Sequence, residues 1–328
     1  MKLPSYNTHG MLLSPELVKA NMANAVPDWI NPQRKGETRR DTRLQKINED
    51  PDKYRHLGWQ FDRDAEGNLT GYTALFVNKE DESEAHSIKC PYGVPGDLLY
   101  FKERHYRRGH WEKSKELTKK KKQPKWSFIP QKGHEVRFDH NMPPNSGTWI
   151  DPSGKKKWFE RSSLFLPEIY ARQWSLFEKI GIERLQNITE EAAINEGVER
   201  VAAIEHGGIK CYRDYVFHNI YLGENKPMPC MSSAVDSFAT LIDYANKPGT
   251  WEKNPWVWVV KYRPLSFDGR PSEYTIRVAR EELFEPISPN PEVIHCSFYM
   301  SHFVPSKVKP VPYNEDIRVI KNGKGGVS

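Results

Sequence analysis

Apolar positions in this chain fall into short, separated groups rather than one sustained period. Between residues 11 and 25, Leu13, Leu17, Val18 and Met22 lie at near-helical spacing. Ser14 supplies an N-cap and Pro15 a first helical position, so a helix is expected there, ending near Val26-Pro27. Residues 41–70 are polar and irregular, whereas 72–77 reads as a short strand. Tyr92-Gly93-Val94-Pro95-Gly96-Asp97 is a turn that launches a strand over 98–101. Residues 105–160 hold Lys, Pro, Gly and Trp without a sustained period and mark a long insertion. Beyond it, strands are expected at 171–184 and 256–262, and helices at 188–198 and 238–244. After Pro264, two further strands are expected, at 274–278 and 293–300.

Strands separated by short helices, with no internal repeat and no regular βαβ alternation, predict a mixed α+β domain around a small barrel. The chain has 328 residues, enough for a sizeable core, with 37% hydrophobic and 28% charged residues. No apolar run approaches the ~20 residues that cross a bilayer. Residues 1–10 contain only Lys2 as a cation and no apolar core, so no signal peptide is expected. Cys90, Cys211, Cys230 and Cys296 lack metal-ligand spacing, and reduced thiols in a cytoplasmic protein are the expectation.

Charge changes this picture. The formal net charge is +6, yet residues 102–125 alone carry eleven Lys and Arg against three acidic residues. Such a block either attracts a polyanion or keeps a loop solvated. Aromatics make up 12% of the chain, and Trp111, Trp126, Trp149 and Trp158 interleave with the lysines of the insertion. That mixture suits single-stranded nucleic acid, with local packing as the alternative. Trp256 and Trp258 share one strand face and are expected in the core. His105 and His110 have no cysteines or carboxylates at zinc spacing, so no metal is expected.

Four segments in order are similar to the ASCH family of PUA-like domains, in particular its enlarged phage and prophage members. Arg34-Lys35-Gly36-Glu37-Thr38-Arg39-Arg40 resembles the family's G-x-K-x-x-T-x-R element, and the 92–103 turn and strand resembles its "YGKPGDRLWVRE" segment. Residues 183–197, ending in Ala193-Ile194-Asn195-Glu196-Gly197, and residues 254–262 complete the set. The sequence departs from the pattern at Gln33, which follows Pro32 where the family has Gly.

The resemblance implies an α+β fold with a PUA-like small barrel over 11–263, the 105–160 insertion, short helices and a C-terminal extension over 264–328. It implies a cleft that accepts a single base, modified or not, from RNA, other single-stranded nucleic acid or a free nucleoside. No cofactor is implied, and the location would be the host cytoplasm. Some compact bacterial members hydrolyse the amide of N(4)-acetylcytidine, and their Lys, Thr and Glu fall on Lys35, Thr38 and Glu196. A desolvated Lys can activate a Thr hydroxyl while a buried Glu relays the proton. Amide hydrolysis is the alternative to the main reading, a non-catalytic reader whose phosphate contacts come from Arg34, Arg39, Arg40, Lys102, Arg104, Arg107, Arg108, Lys119, Lys120, Lys121 and Lys122, with Trp126 for stacking. A third reading is an interaction role in phage assembly.

Overall fold

A five-stranded sheet forms the frame of the molecule. The computed structural model describes residues 3, 5–13, 15–22, 35–118, 122–201, 211–218 and 230–284. These lie in a first unit, Met1–Phe284, and the second, Glu285–Ser328, lies outside the described residues. The frame runs in the order β1 (Thr8–Leu12), β6 (Leu98–Lys102), β10 (Trp174–Arg184), β14 (Trp256–Ser266) and β2 (Glu37–Arg40). Only β1 and β6 run parallel, and the other neighbours are antiparallel. Leu99, Phe101, Phe177 and Val260 enter the main core, while Leu98, Trp174 and Leu176 enter a second cluster on the opposite face. Coverage of both faces is why β6 and β14 read as near-continuous apolar runs.

The expected strands at 98–101, 171–184 and 256–262 are therefore neighbours in one sheet. The fold is mixed α+β, mostly sheet with a few short helices, and the sheet is not a closed barrel. Its two edges, β1 and β2, are joined by a side chain instead, as the Arg40 guanidinium donates to the Leu12 carbonyl at 2.9 Å.

Several local expectations are corrected. Residues 11 and 12 belong to β1, paired with Phe101 and Lys102, so the helix is the shorter α1 (Pro15–Met22). The polar stretch 41–70 holds β3 (Tyr54–Arg63), which pairs with β4 (Leu69–Asn78), itself paired with β5 (Ala85–Lys89). A register shift between His56 and Gly58 breaks the alternation of β3 and hides it from a period-2 reading. The 105–160 insertion is not a structureless loop. It contains a three-stranded sheet of β8 (Pro124–Pro130), β7 (His105–Leu117) and β9 (Lys157–Arg161), in that order.

The strand expected at 274–278 is part of a helix. Ile276, Ala279 and Leu283 recur at helical spacing towards the second cluster, and the Ser272 hydroxyl accepts from the Thr275 amide at 3.1 Å. The strand expected at 293–300 lies outside the described residues. The 188–198 helix is α2 (Glu190–Asn195), capped by Thr189. Next come α3 (Tyr215–His218), α4 (Ala234–Ala245), α5 (Thr250–Lys253) and the helix just described, α6 (Glu273–Phe284).

A small sheet orders β11 (Arg200–Val201), β12 (Cys211–Arg213) and β13 (Cys230–Met231). The antiparallel pairing of β12 with β13 brings Cys211 and Cys230 together in a disulfide, which corrects the expectation of reduced thiols at these two positions. Cys90 is free and buried. Among the described residues, no helix is long and apolar enough to cross a membrane.

Trp258 anchors the frame: its ring is fully buried, packs on Trp59 at 6.0 Å and donates its indole N–H to the Thr42 carbonyl at 2.8 Å. Trp258→Ala is expected to cost about 3–5 kcal/mol, and Trp258→Phe less. Urea unfolding followed by circular dichroism measures this. An unchanged midpoint for the Ala variant would remove Trp258 from any anchoring role.

Candidate functional site

The segment entering β2 is stitched to two elements distant in sequence. The Gly36 amide donates to the Asn195 carbonyl at the end of α2, and the Tyr262 amide of β14 donates to the Gly36 carbonyl, each at 2.9 Å. Along β2, Thr38 lies opposite Val260 and Arg39 opposite Val259. Helix α2 ends at Glu196, its C-cap, and Gly197 then turns with φ 89°. A Cβ at Gly197 would lie 2.6 Å from the Ala20 Cβ and 3.3 Å from the Lys35 Cβ. Glycine is therefore what lets the end of α2 sit against both α1 and Lys35.

The result is a buried charge cluster. Lys35 is 0% exposed, and its ammonium donates to the Glu37 carbonyl at 2.9 Å, the Glu196 carbonyl at 2.7 Å and Glu196 Oε2 at 2.9 Å. Burial lowers the Lys35 pKa, and the Glu196 carboxylate works in the opposite direction. Arg39 threads the same cluster, with Nη1 at 2.8 Å from Glu37 Oε1 and 3.3 Å from Glu196 Oε1, and Nη2 at 2.7 Å from Glu183 Oε1. Burial alone would lower Arg39, but Glu196, Glu183 and Glu37 together hold it above its usual value. Burial raises Glu183 against the pull of Arg39. Lys261 closes the chain on Glu37 Oε2 at 2.9 Å. Buried Tyr262 is held well above the usual phenol range, first by burial and then by the Glu196 charge.

Above this cluster opens a cavity of about 550 Å³. Thr38, Arg40, Asp41 and Glu196 line its polar side, and Leu17, Phe238, Leu241 and Val257 form an apolar wall. The wall depends on α4, whose N-terminus is capped across the chain by Glu190 of α2, accepting from the Ala234 amide at 2.8 Å and the Val235 amide at 3.2 Å. Sequence reasoning found Phe238 as part of a helix but not as a cavity wall. The available signal was the apolar spacing of Phe238, Leu241 and Ile242. Arg40 lines the cavity, and its Nε N–H is buried with no hydrogen-bond partner.

The other sequence-singled residues separate. Arg39 is buried among three carboxylates instead of facing solvent. Arg104 pairs with Asp139 at 2.9 Å, and Lys102 lies over the Tyr100 ring and donates to the Leu164 carbonyl at 3.5 Å. Arg107 and Arg108 are half-buried on β7, and Trp126 is half-buried on β8 opposite Lys113. Lys122 is exposed, whereas Arg34, Lys119, Lys120 and Lys121 lie outside the described residues. Trp149 is exposed, and Trp158 packs under the Arg137 guanidinium. His110 bonds Glu112 at 2.7 Å, and fully buried His105 directs Nδ1 to the Glu103 carbonyl at 3.2 Å.

No protein-family model, no curated protein and no solved structure matches the chain.

Two outcomes follow from these environments. Lys35→Met leaves the buried Glu196 acceptors short of a donor and is expected to cost about 3–5 kcal/mol, with part recovered on adding Glu196→Gln. A double-mutant cycle by denaturant unfolding measures it, and a Lys35→Met loss below about 1 kcal/mol would contradict the cluster as described. Burial takes His105 down to about 4, with Arg107 and Arg161 contributing. The unfolded chain then binds a proton that the folded chain refuses between about pH 6.5 and pH 4, so stability falls as pH drops through that window, by up to about 3 kcal/mol. His105→Asn should flatten the stability–pH curve there, and an equally steep curve would assign the effect to other groups.

Proposed function

We propose that this chain is an ASCH-type, PUA-like protein that binds a single nucleobase, free or within a nucleic acid, in the cavity beside β2. The observation that carries the reading is the convergence of Thr38, Arg40 and Glu196 on one cavity with an apolar wall opposite. A volume near 550 Å³ suits a nucleoside, and a few polar groups set against apolar surface are the usual make-up of a small-molecule site. The bridging of β1 to β2 by Arg40 supports a sheet curled in the PUA-like manner.

Each Glu196 carboxylate oxygen keeps acceptor capacity beyond its bonds to Lys35 and Arg39. The partnerless Arg40 N–H is a donor. An acceptor beside a donor complements a ring edge that carries an amino group next to an acceptor, as the N4 amino group and N3 of cytosine do. The apolar wall of Leu17, Phe238 and Leu241 would receive the ring face.

The amidohydrolase alternative needs Lys35 as a base with a free lone pair. Its nitrogen instead faces three acceptors, all of which demand protons. An ammonium held this way organises Glu196 and does not deprotonate Thr38, so binding without turnover is the favoured reading. Purified protein is incubated with cytidine, N(4)-acetylcytidine, uridine and adenosine, with binding read by calorimetry and products by mass spectrometry. Cytidine-type nucleosides should bind, Thr38→Val and Arg40→Met should each weaken binding about tenfold, in the range of hydrogen bonds to charged or buried groups, and no acetate should appear. Release of acetate would instead establish the hydrolase, and no binding of any nucleoside would sink the reading.

A further inference from the structure

The sheet formed by β8, β7 and β9 gathers cations on one face, where Lys157 takes Asp151 at 2.8 Å but two arginines have no carboxylate partner among the described residues. Its register sets His105 opposite Arg161 and Arg107 opposite Phe159, and on the other side Trp111 opposite Phe128. Alternate residues of a strand share a face, so His105, Arg107, Trp111, Phe128, Phe159 and Arg161 lie together. Phe159 is 1% exposed and makes the floor, with Trp111 and Phe128 edge-on to it and to each other.

On this floor the Arg161 guanidinium is held by three rings, at 4.8 Å from Trp111, 4.5 Å from Phe128 and 4.9 Å from Phe165. Arg107 lies over the Tyr170 ring at 5.1 Å. Neither arginine forms an ion pair among the described residues, whereas Arg104, three residues before Arg107, takes Asp139. The two cations are also close enough to oppose one another. Burial first, and Arg107 second, make Arg161 less ready to hold its charge than an ordinary arginine.

A second, independent observation points the same way. Trp111 Nε1, an N–H donor on this face, is buried without a hydrogen-bond partner. Two like charges, fixed by rings in a partly desolvated place and unmatched by any acid, are the make-up of a site that an anion completes. Phe165 is 56% and Tyr170 37% exposed, so flat apolar surface flanks the two arginines.

We propose that this face grips the backbone of a single-stranded nucleic acid, with Arg107 and Arg161 on a phosphodiester and the rings of Phe165 and Tyr170 stacking the neighbouring bases. The guanidinium fork suits a phosphate's two free oxygens, and aromatic surface beside it accepts any base. A phosphate alone would use the arginines and leave the exposed rings idle, which is why a nucleotide chain fits better than a small anion. This rests on the function proposed above only in taking nucleic acid as the source of the phosphate. The binding surface itself is separate from the lining of the cavity.

The test uses the full chain and labelled single strands of about 12 nucleotides, one RNA and one DNA, with binding read by fluorescence anisotropy from about 50 to 200 mM salt. Two lost phosphate contacts at about 0.7 each should flatten the salt slope by about 1.4 in Arg107→Ala/Arg161→Ala, and weaken binding about 25-fold near 0.1 M salt. The better-bound strand identifies the sugar. If the Ala pair fails to fold, Arg107→Lys/Arg161→Lys keeps both charges and loses the fork, and several-fold weaker binding is still expected. Unchanged affinity and slope, no binding of either strand by the native chain, or competition by inorganic phosphate at equal concentration would each overturn the proposal. Nucleoside binding in the cavity should survive the Ala pair. Strand binding without nucleoside binding would reject the cavity and leave this face standing, and the reverse result would do the opposite.

Discussion

A fully buried ammonium must be surrounded by acceptors or give up its charge, and Lys35 is surrounded. Its three acceptors come from the start of β2 and from the end of α2, and they fix where the other groups can lie. Glu196 cannot move without exposing that ammonium to an apolar interior. The carboxylates around Arg39 cannot move without leaving a second buried cation unmatched. Because one oxygen of Glu196 faces Lys35 and the other Arg39, the two cations share one acid. Such a cluster adds little net stability compared with an apolar replacement, but breaking it is costly, so it acts chiefly to hold one arrangement. The cavity inherits its polar side from that arrangement.

The position of α4 follows from the same region. Glu190 opens α2 and closes over the N-terminus of α4, while Glu196 ends α2 on Lys35. One short helix thus sets both walls of the cavity. Its six residues have almost no stability alone, and its place is held by a cap at each end and by Gly197, which removes the Cβ that would collide with α1. The apolar wall and the charged floor are therefore linked through backbone and carboxylate contacts rather than through a shared hydrophobic core.

The sheet of β8, β7 and β9 in the insertion solves a different problem. A sheet with one covered face must place charge on the other, and β7 does so with arginines stacked on rings rather than paired with acids. Stacking lets a guanidinium stem and plane cover apolar surface while its edge stays available. This is why a stretch that is so basic still packs, with Phe159 fully buried beneath it.

The sequence by itself determined the three central strands of the frame and named Lys35, Thr38 and Glu196 at the site, but not the edge strands β1 and β2. Strands such as Leu98–Lys102 and Trp256–Ser266 are buried on both faces, and that leaves an apolar run that no loop would carry. The turn at 92–97 needs positive φ at Gly93 and Gly96, and both glycines are legible as letters. Lys35, Thr38 and Glu196 were reached by motif likeness, whereas spacing alone does not bring residue 35 to residue 196. What only the tertiary structure decided was partnership. Arg39 and Arg40 are the same letter in adjacent positions, yet alternation along β2 sends one into three carboxylates and leaves the other bridging to Leu12 with an unmatched N–H at the cavity. Residues 274–278 look like a strand because Thr, Ile and Val are β-branched, and they fold as helix because Ile276 and Ala279 find an apolar cluster at helical spacing. Likewise β3 and β7 are strands whose partners lie across hairpins, and an exposed face filled with charge leaves no period for the sequence to show. Local chemistry is written in the chain, but which charge meets which acid depends on contacts between residues more than a hundred positions apart.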